Sequence, residues 1–106
     1  MHNTRPLEVV FLTNFADYSY RTIPAIAQMA DDFAVRLTIV HTLCGAPDPR
    51  AEADAHAQLE SFFPEADLYT DCRRVLMHGH PIEAVQRLRE TQPVDLVVAP
   101  AADPRN

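Results

Sequence analysis

Short apolar runs alternate with longer amphipathic stretches along this chain. Residues 7–12 (L-E-V-V-F-L) are β-rich and almost continuously apolar, which predicts a strand covered on both faces. Residues 17–34 follow, with Ile26, Met29, Ala30 and Phe33 recurring at helical spacing on one face. Pro24 is comfortable only in a first helical turn, so an irregular turn is expected before it, with Ser19 or Thr22 as the cap. Residues 36–43 (R-L-T-I-V-H-T-L) read as a second strand, broken by G-A-P-D-P at 45–49. Residues 50–63 are rich in alanine and glutamate and predict a helix with Ala55, Leu59, Phe62 and Phe63 as its buried face and Pro64 as its end. Residues 73–77 (R-R-V-L-M) give a third strand, with Cys72 as an alternative start, and His78-Gly79-His80 a turn. Pro81 suits the first position of a third helix whose inner face is Ile82, Val85 and Leu88. Pro93 closes it, and residues 94–99 (V-D-L-V-V-A) form a fourth strand. Residues 100–106 hold two prolines and no periodicity, and read as loop.

The resulting order, β-α-β-α-β-α-β, argues for an α/β fold: a parallel, Rossmann-like sheet whose right-handed crossovers carry the helices. The 106 residues amount to one domain, and the 47% of hydrophobic residues suits a globular one. A domain this small buries a modest share of its surface, which leaves room for a partner surface.

Charge narrows the partners. The formal net charge is -6, the opposite of the basic stripe that neutralises phosphates in a nucleic-acid binder, and equally unsuited to an anionic membrane surface. No apolar run approaches the ~18 residues needed to span a bilayer. The start, M-H-N-T-R-P, has no apolar core or cleavage site of a signal peptide. Cys44 and Cys72 form neither a zinc spacing nor a C-x-x-C motif, so both are expected as free thiols in a reducing compartment, the cytoplasm.

Candidate chemistry is sparse. If strands two and three are neighbours, His41 and His78 share a sheet edge with Cys44 and His80 nearby, and imidazole and thiolate are good zinc or copper ligands. No close pair among them has a recognised metal spacing, and the alternative is hydrogen-bonded polar residues at strand ends. Ser19 and Ser61 stand in no nucleophile elbow, and Asp31-Asp32 and Glu52 with Asp54 read as solvated helix faces. Tyr18-Ser19-Tyr20 is placed either to close over a ligand or to sit half-buried with its hydroxyls in water. These features predict a protein that is not an enzyme.

Three segments together resemble the universal stress protein family: F-L-T-N-F-A at residues 11–16, R-L-T-I-V-H-T at 36–42, and H-G-H-P-I-E-A-V at 78–85, with D-L-V-V at 95–98 matching the family's fourth strand. The resemblance implies a sheet in the order 3-2-1-4-5 and an adenine-nucleotide site at the carboxyl ends of strands one and four, the usual ligand position in open α/β sheets. Carried onto this chain, the nucleotide-binding positions are Leu12, Thr13 and Asn14 from strand one, Thr42 from strand two, and Ala99 and Pro100 after strand four.

The departures from the family pattern are as informative. Asn14 stands where the family has aspartate, Ala16 where it has serine, and Ala99-Pro100 where it has Met-Gly. The chain holds only Gly45 and Gly79, so the glycine run that cradles a triphosphate has no counterpart, and neither do the family's last helix and fifth strand. The domain is therefore expected to span residues 1–106 without those elements. The implied function is a stress-response or regulatory domain with a degenerate nucleotide site: no resident cofactor, ATP not bound, and adenosine or AMP as the ligand if one is kept. The alternatives are a homodimerisation or protein-interaction module using the open sheet edge, and a His/Cys metal-linked site.

Overall fold

β1 (Leu7–Leu12) is buried on both faces, with Val9, Val10 and Phe11 almost wholly removed from solvent, as a near-continuous apolar strand requires. It occupies the interior of a four-stranded parallel sheet in the order β3-β2-β1-β4, formed with β2 (Val35–Leu43), β3 (Asp71–His78) and β4 (Leu96–Val98). This computed structural model describes residues 5–15 and 17–99, with the side chains of residues 17–20 and 69 excepted. Ala16, Pro100 and the loop expected over residues 100–106 lie outside the described residues, as do the side chains of Tyr18, Ser19 and Tyr20.

The helices are α1 (Asp17–Asp32), α2 (Pro49–Ser61), a short α3 (Ala66–Tyr69) and α4 (Pro81–Thr91). Asp48 caps α2 by accepting the Arg50 N–H at 3.0 Å, and Pro49 and Pro81 each stand in a first turn, where a missing N–H costs nothing. The core splits into two layers. On one face Val9, Phe11, Leu37 and Ile39 meet Ile26 of α1 and Leu59 of α2, together with Phe62 and Phe63. On the other, Val10 and Val40 meet Ala84 and Leu88 of α4. Phe62 packs edge-on to Phe11, with ring centroids 5.5 Å apart, and edge-on to Phe15 at 5.9 Å, adding a directional aromatic term to its burial.

Several boundaries differ from the sequence reading. α1 ends at Asp32 rather than at residue 34, so Phe33 leaves the helical face and is 61% exposed instead of buried. Pro24 lies well inside α1, not in its first turn, and Thr22 is an interior residue rather than a cap. Pro24 faces solvent, so water can reach the backbone carbonyl that loses its partner there, while Ile26 and its neighbours hold the helix to the sheet. α2 stops at Ser61, yet Phe62 and Phe63 are buried as expected, because the chain turns inward after the helix with Phe63 at φ 51°. α3 was not foreseen.

Ile82 is 73% exposed rather than inward-facing. At about 100° per residue it lies at least about 120° around the helix from Ala84 and Leu88, the residues that α4 buries. β3 is longer than its apolar run, because the ladder pairs it with β2 from Arg36↔Asp71 to Leu43↔His78. β4 is shorter than residues 94–99, since only Leu96, Val97 and Val98 pair with β1.

A row of charges ties the amino end of the sheet. Glu8, Arg36 and Asp71 are direct cross-strand neighbours, and Arg36 Nη1 donates to the buried Glu8 Oε1 at 2.9 Å. Asp95 clips β4 to β1: its carboxylate accepts the Glu8 N–H at 2.9 Å and both Arg5 terminal nitrogens at 3.0 and 2.8 Å, while its own N–H donates to the Glu8 carbonyl. The Arg5 hydrogen bond, reinforced by the Glu8 N–H, holds the Asp95 carboxyl below the usual carboxylate range. A carboxyl lowered in this way contributes stability above its unfolded-state pKa, and that contribution is lost as pH falls through the folded value. Asp95→Asn should therefore destabilise the protein at pH 7 and converge with the parent in strong acid, read from denaturant midpoints over a pH series. Phe62→Ala should lower the unfolding free energy by about 3–5 kcal/mol in the same assay.

Candidate functional site

At the carboxyl end of the sheet the chain builds a turn whose backbone is held at three points. The Thr13 N–H donates to the Val40 carbonyl at 2.9 Å, continuing the β1–β2 ladder one step past Leu12. The buried Thr13 hydroxyl accepts the Phe15 N–H at 3.0 Å. The Thr13 carbonyl lies 2.8 Å from His41 Nδ1, which must carry the proton to donate there. Phe15 adopts φ 63°, a conformation few non-glycine residues take, and its ring lies against the His41 ring, centroids 4.4 Å apart and planes tilted by 39°. The local bond and the aromatic contact hold Phe15 in place, so Asn14 is presented at the sheet edge.

β2 runs further than β1. The carbonyls of Ala34 and Val40 accept N–H groups from the β1 side, so alternate β2 positions present their backbone polar groups toward β1. Thr42 is the next such position, beyond the last paired residue of β1, Leu12, and beyond the closing Thr13–Val40 bond. The N–H and C=O of Thr42 thus face the space above β1's end. That space is a cavity of about 220 Å³ lined by Leu12, Thr13, Asn14, His41, Thr42, Pro81 and Ala99. It sits between β1 and β4, where the strand order reverses direction, the usual ligand position in an open α/β sheet.

Every described residue assigned to the site from the sequence lines this cavity: Leu12, Thr13, Asn14, Thr42 and Ala99. Pro100 lies outside the described residues. Two lining residues were missed. The sequence presents Pro81 as a helix start and His41 as either a metal candidate or a hydrogen-bonded polar residue at a strand end, the second of which its bond to Thr13 matches; the β1–β2 register, placing His41 one step beyond the last β1 pair, is the signal that could have brought it to the cavity. No Asp, Glu, Lys or Arg lines the cavity among the described residues. Its walls are apolar at Leu12, Pro81 and Ala99, and its polar groups are neutral amides, hydroxyls and one imidazole.

The histidines and cysteines do not converge. His41 is turned to Thr13, His78 Nε2 lies 2.9 Å from Glu52 Oε1 of α2, and Cys44 Sγ donates to the Gly79 carbonyl at 3.2 Å. His80 precedes α4 with no side-chain capping bond. Among the described residues no three His, Cys, Asp or Glu side chains gather into a metal cluster. Both cysteines are free thiols. Burial pushes the Cys72 thiol up, with Arg74 partly opposing, which favours its protonated form. Gly79, at φ 109°, makes the turn from β3 to α4 that brings Pro81 to the cavity, a backbone conformation that L side chains rarely adopt.

No protein-family model matches the sequence, and no curated protein matches it. Solved structures do match. The universal stress protein UspA from Lactobacillus plantarum superposes with a TM-score of 0.70 over 98% of this chain and 85% of its own, at 14% identity. A protein of the universal stress protein family from Burkholderia pseudomallei gives 0.67 over 89% and 80%, at 16% identity. The chain has the fold of the universal stress proteins. A universal stress protein crystallised in complex with cAMP also matches, with a TM-score of 0.58 over 86% of this chain and 69% of its own, at 24% identity. The resemblance drawn from short motifs is thus borne out for the fold, including the strand order 3-2-1-4.

Thr13→Val keeps the side chain's shape but leaves the Phe15 N–H without its acceptor. It should lower the unfolding free energy by ~1–3 kcal/mol, measured by urea denaturation.

Proposed function

We propose that this chain is a non-enzymatic, stress-response-type regulatory domain with a degenerate adenine-nucleotide site that takes adenosine or AMP rather than ATP. One observation carries the reading: the cavity at the switch point combines the free-standing backbone edge of Thr42 with apolar walls and no charged lining side chain among the described residues. A backbone N–H and C=O side by side match the acceptor and amino donor on the edge of an adenine ring, and apolar walls suit its faces. No charged side chain among the described residues lines the cavity to hold a phosphate chain. A volume of about 220 Å³ lies below the ~300–1,000 Å³ typical of drug-sized ligands, which favours a base or nucleoside over a triphosphate.

The departures at Asn14 and Ala99 point the same way, and the fold relative solved with cAMP supports an adenine-type ligand. Among the described lining residues His41 is the one imidazole and spends Nδ1 on Thr13, and no nucleophile–base pair is present, which favours binding over catalysis. Two free thiols and a net charge of -6 favour the cytoplasm, away from nucleic acid and membrane surfaces. No helix of the described residues is long and apolar enough to cross a membrane.

Thermal melts with adenosine, AMP, cAMP and ATP test the reading. Adenosine or AMP at ten times its Kd should add about 1.4 kcal/mol, a rise in Tm of roughly 6 °C, with ATP no better than AMP. Ala99→Phe, at the rim of the cavity, should abolish the shift. No shift with any adenine ligand at millimolar concentration would sink the proposal, and a marked preference for ATP would restore a triphosphate site.

A second reading, homodimerisation, is favoured by β4. Leu96 and Val97 are 38% and 37% exposed although their β1 partners Val9 and Val10 are buried. The strand carries no charge or proline to block edge pairing, and a two-fold pairing would set only apolar residues opposite one another. Light scattering from micromolar to millimolar protein should show a dimer that Val97→Lys abolishes; a monomer throughout this range would overturn it.

A further inference from the structure

At the end of the sheet opposite the cavity just described, the end of α1 and the starts of β1 and β4 enclose a second and larger space, about 460 Å³. Pro6, Leu7 and Ala34 give it apolar walls, and Phe33, 61% exposed, lines it as well. Asp32, Arg5 and Asp95 are its charged lining groups. We infer that this groove docks a partner-protein segment that presents an arginine beside an apolar side chain.

Charge complementarity selects that occupant. Among the described residues Arg5 is the one cation in the lining, and it is committed to Asp95 through two hydrogen bonds. Asp32 is left with a 3.4 Å bond from the neutral Gln28 amide. It also ends α1, where Asp31 and Asp32 stand at the negative pole of the helix with no basic residue in the last turn. Carboxylates there are unfavourable until a cation arrives. A free metal ion is a poor match, because one uncompensated carboxylate, with no histidine or cysteine among the described lining residues, makes no coordination shell. A guanidinium fits better: it is weakly hydrated, pairs with a carboxylate and stacks on an aromatic face, and Phe33 supplies that face. The volume falls within the range that encloses a small ligand, room enough for the arginine and an apolar neighbour against Leu7 and Ala34.

The test uses the full ¹⁵N-labelled chain and two capped tripeptides, Leu-Arg-Leu and Leu-Glu-Leu. The arginine peptide should shift the amides of Leu7, Asp32, Phe33 and Ala34, saturating in the high-micromolar to millimolar range and weakening with salt. Phe33→Ser and Asp32→Asn, both at exposed positions, should each weaken it about threefold, since an exposed cation–π contact is worth a factor of roughly two to five. Glu90→Gln, exposed on α4, should leave it unchanged, which separates docking from general attraction to an acidic protein. No shift, an equal response to the glutamate peptide, or indifference to both groove substitutions would overturn the inference. Shifts at the same amides that follow protein concentration without peptide would assign the groove to a second copy and overturn it too. None of these readouts depends on adenine binding at the other end of the sheet.

Discussion

The structure rests on one constraint: β1 must be covered on both faces and paired on both edges at once. Its apolar run offers no face that water would welcome, so the chain has to supply α1 and α2 above it, α4 below it, β2 on one side and β4 on the other. The doubly wound topology follows. Two crossovers carry the chain outward through β2 to β3, and the third carries it back past β1 to β4 on the other face. The reversal leaves a crevice at β1's carboxyl end, and the candidate site is that crevice. The same strand that anchors the core therefore determines where a ligand can go.

The two ends of the sheet are finished differently. At the carboxyl end neutral groups organise the turn, with Thr13 satisfying three neighbours and Phe15 held in a conformation it would not choose. At the amino end charges do the work, through the row Glu8–Arg36–Asp71 and the Arg5–Asp95 clip. Among the described residues this division keeps charged side chains out of the cavity at the carboxyl end and concentrates them where the strands begin. It also explains how three residues suffice for β4: the Asp95 side chain and backbone fasten it to β1 before the ladder starts at Val9↔Leu96.

Much of this was legible in the residues. L-E-V-V-F-L could be little other than a buried strand, and the alternation of strand and helix implied a parallel sheet. The site residues followed from strand-end positions, so five of the six assigned from the sequence line one cavity and the sixth lies outside the described residues. What was hidden depended on partners distant in the chain. The extra length of β3 comes from β2, which recruits polar Asp71 and His78 into a ladder that their own character would not signal. The exposure of Phe33 and Ile82 depends on where a helix starts or stops, which periodicity locates only to within a residue or two. Pro24 shows tertiary packing overriding local preference, since α1 continues through it under the hold of its buried face. His41 was seen as a ligand type before its tautomer-fixing bond to Thr13 was visible, and only the fold brings those two residues together.

The late position of β4 has a consequence for how the protein is made. Val9 pairs with Leu96, a partner 87 positions further along the chain. At about 5–20 residues per second, a ribosome that has finished one side of this pair needs roughly 4–17 s to deliver the other. For the part of that interval after β2 is made, the first strand has β2 available on one edge and nothing on the other. A nascent chain in this state displays an apolar strand edge in a crowded compartment, so the step most exposed to chaperones falls between the synthesis of β2 and the arrival of Asp95.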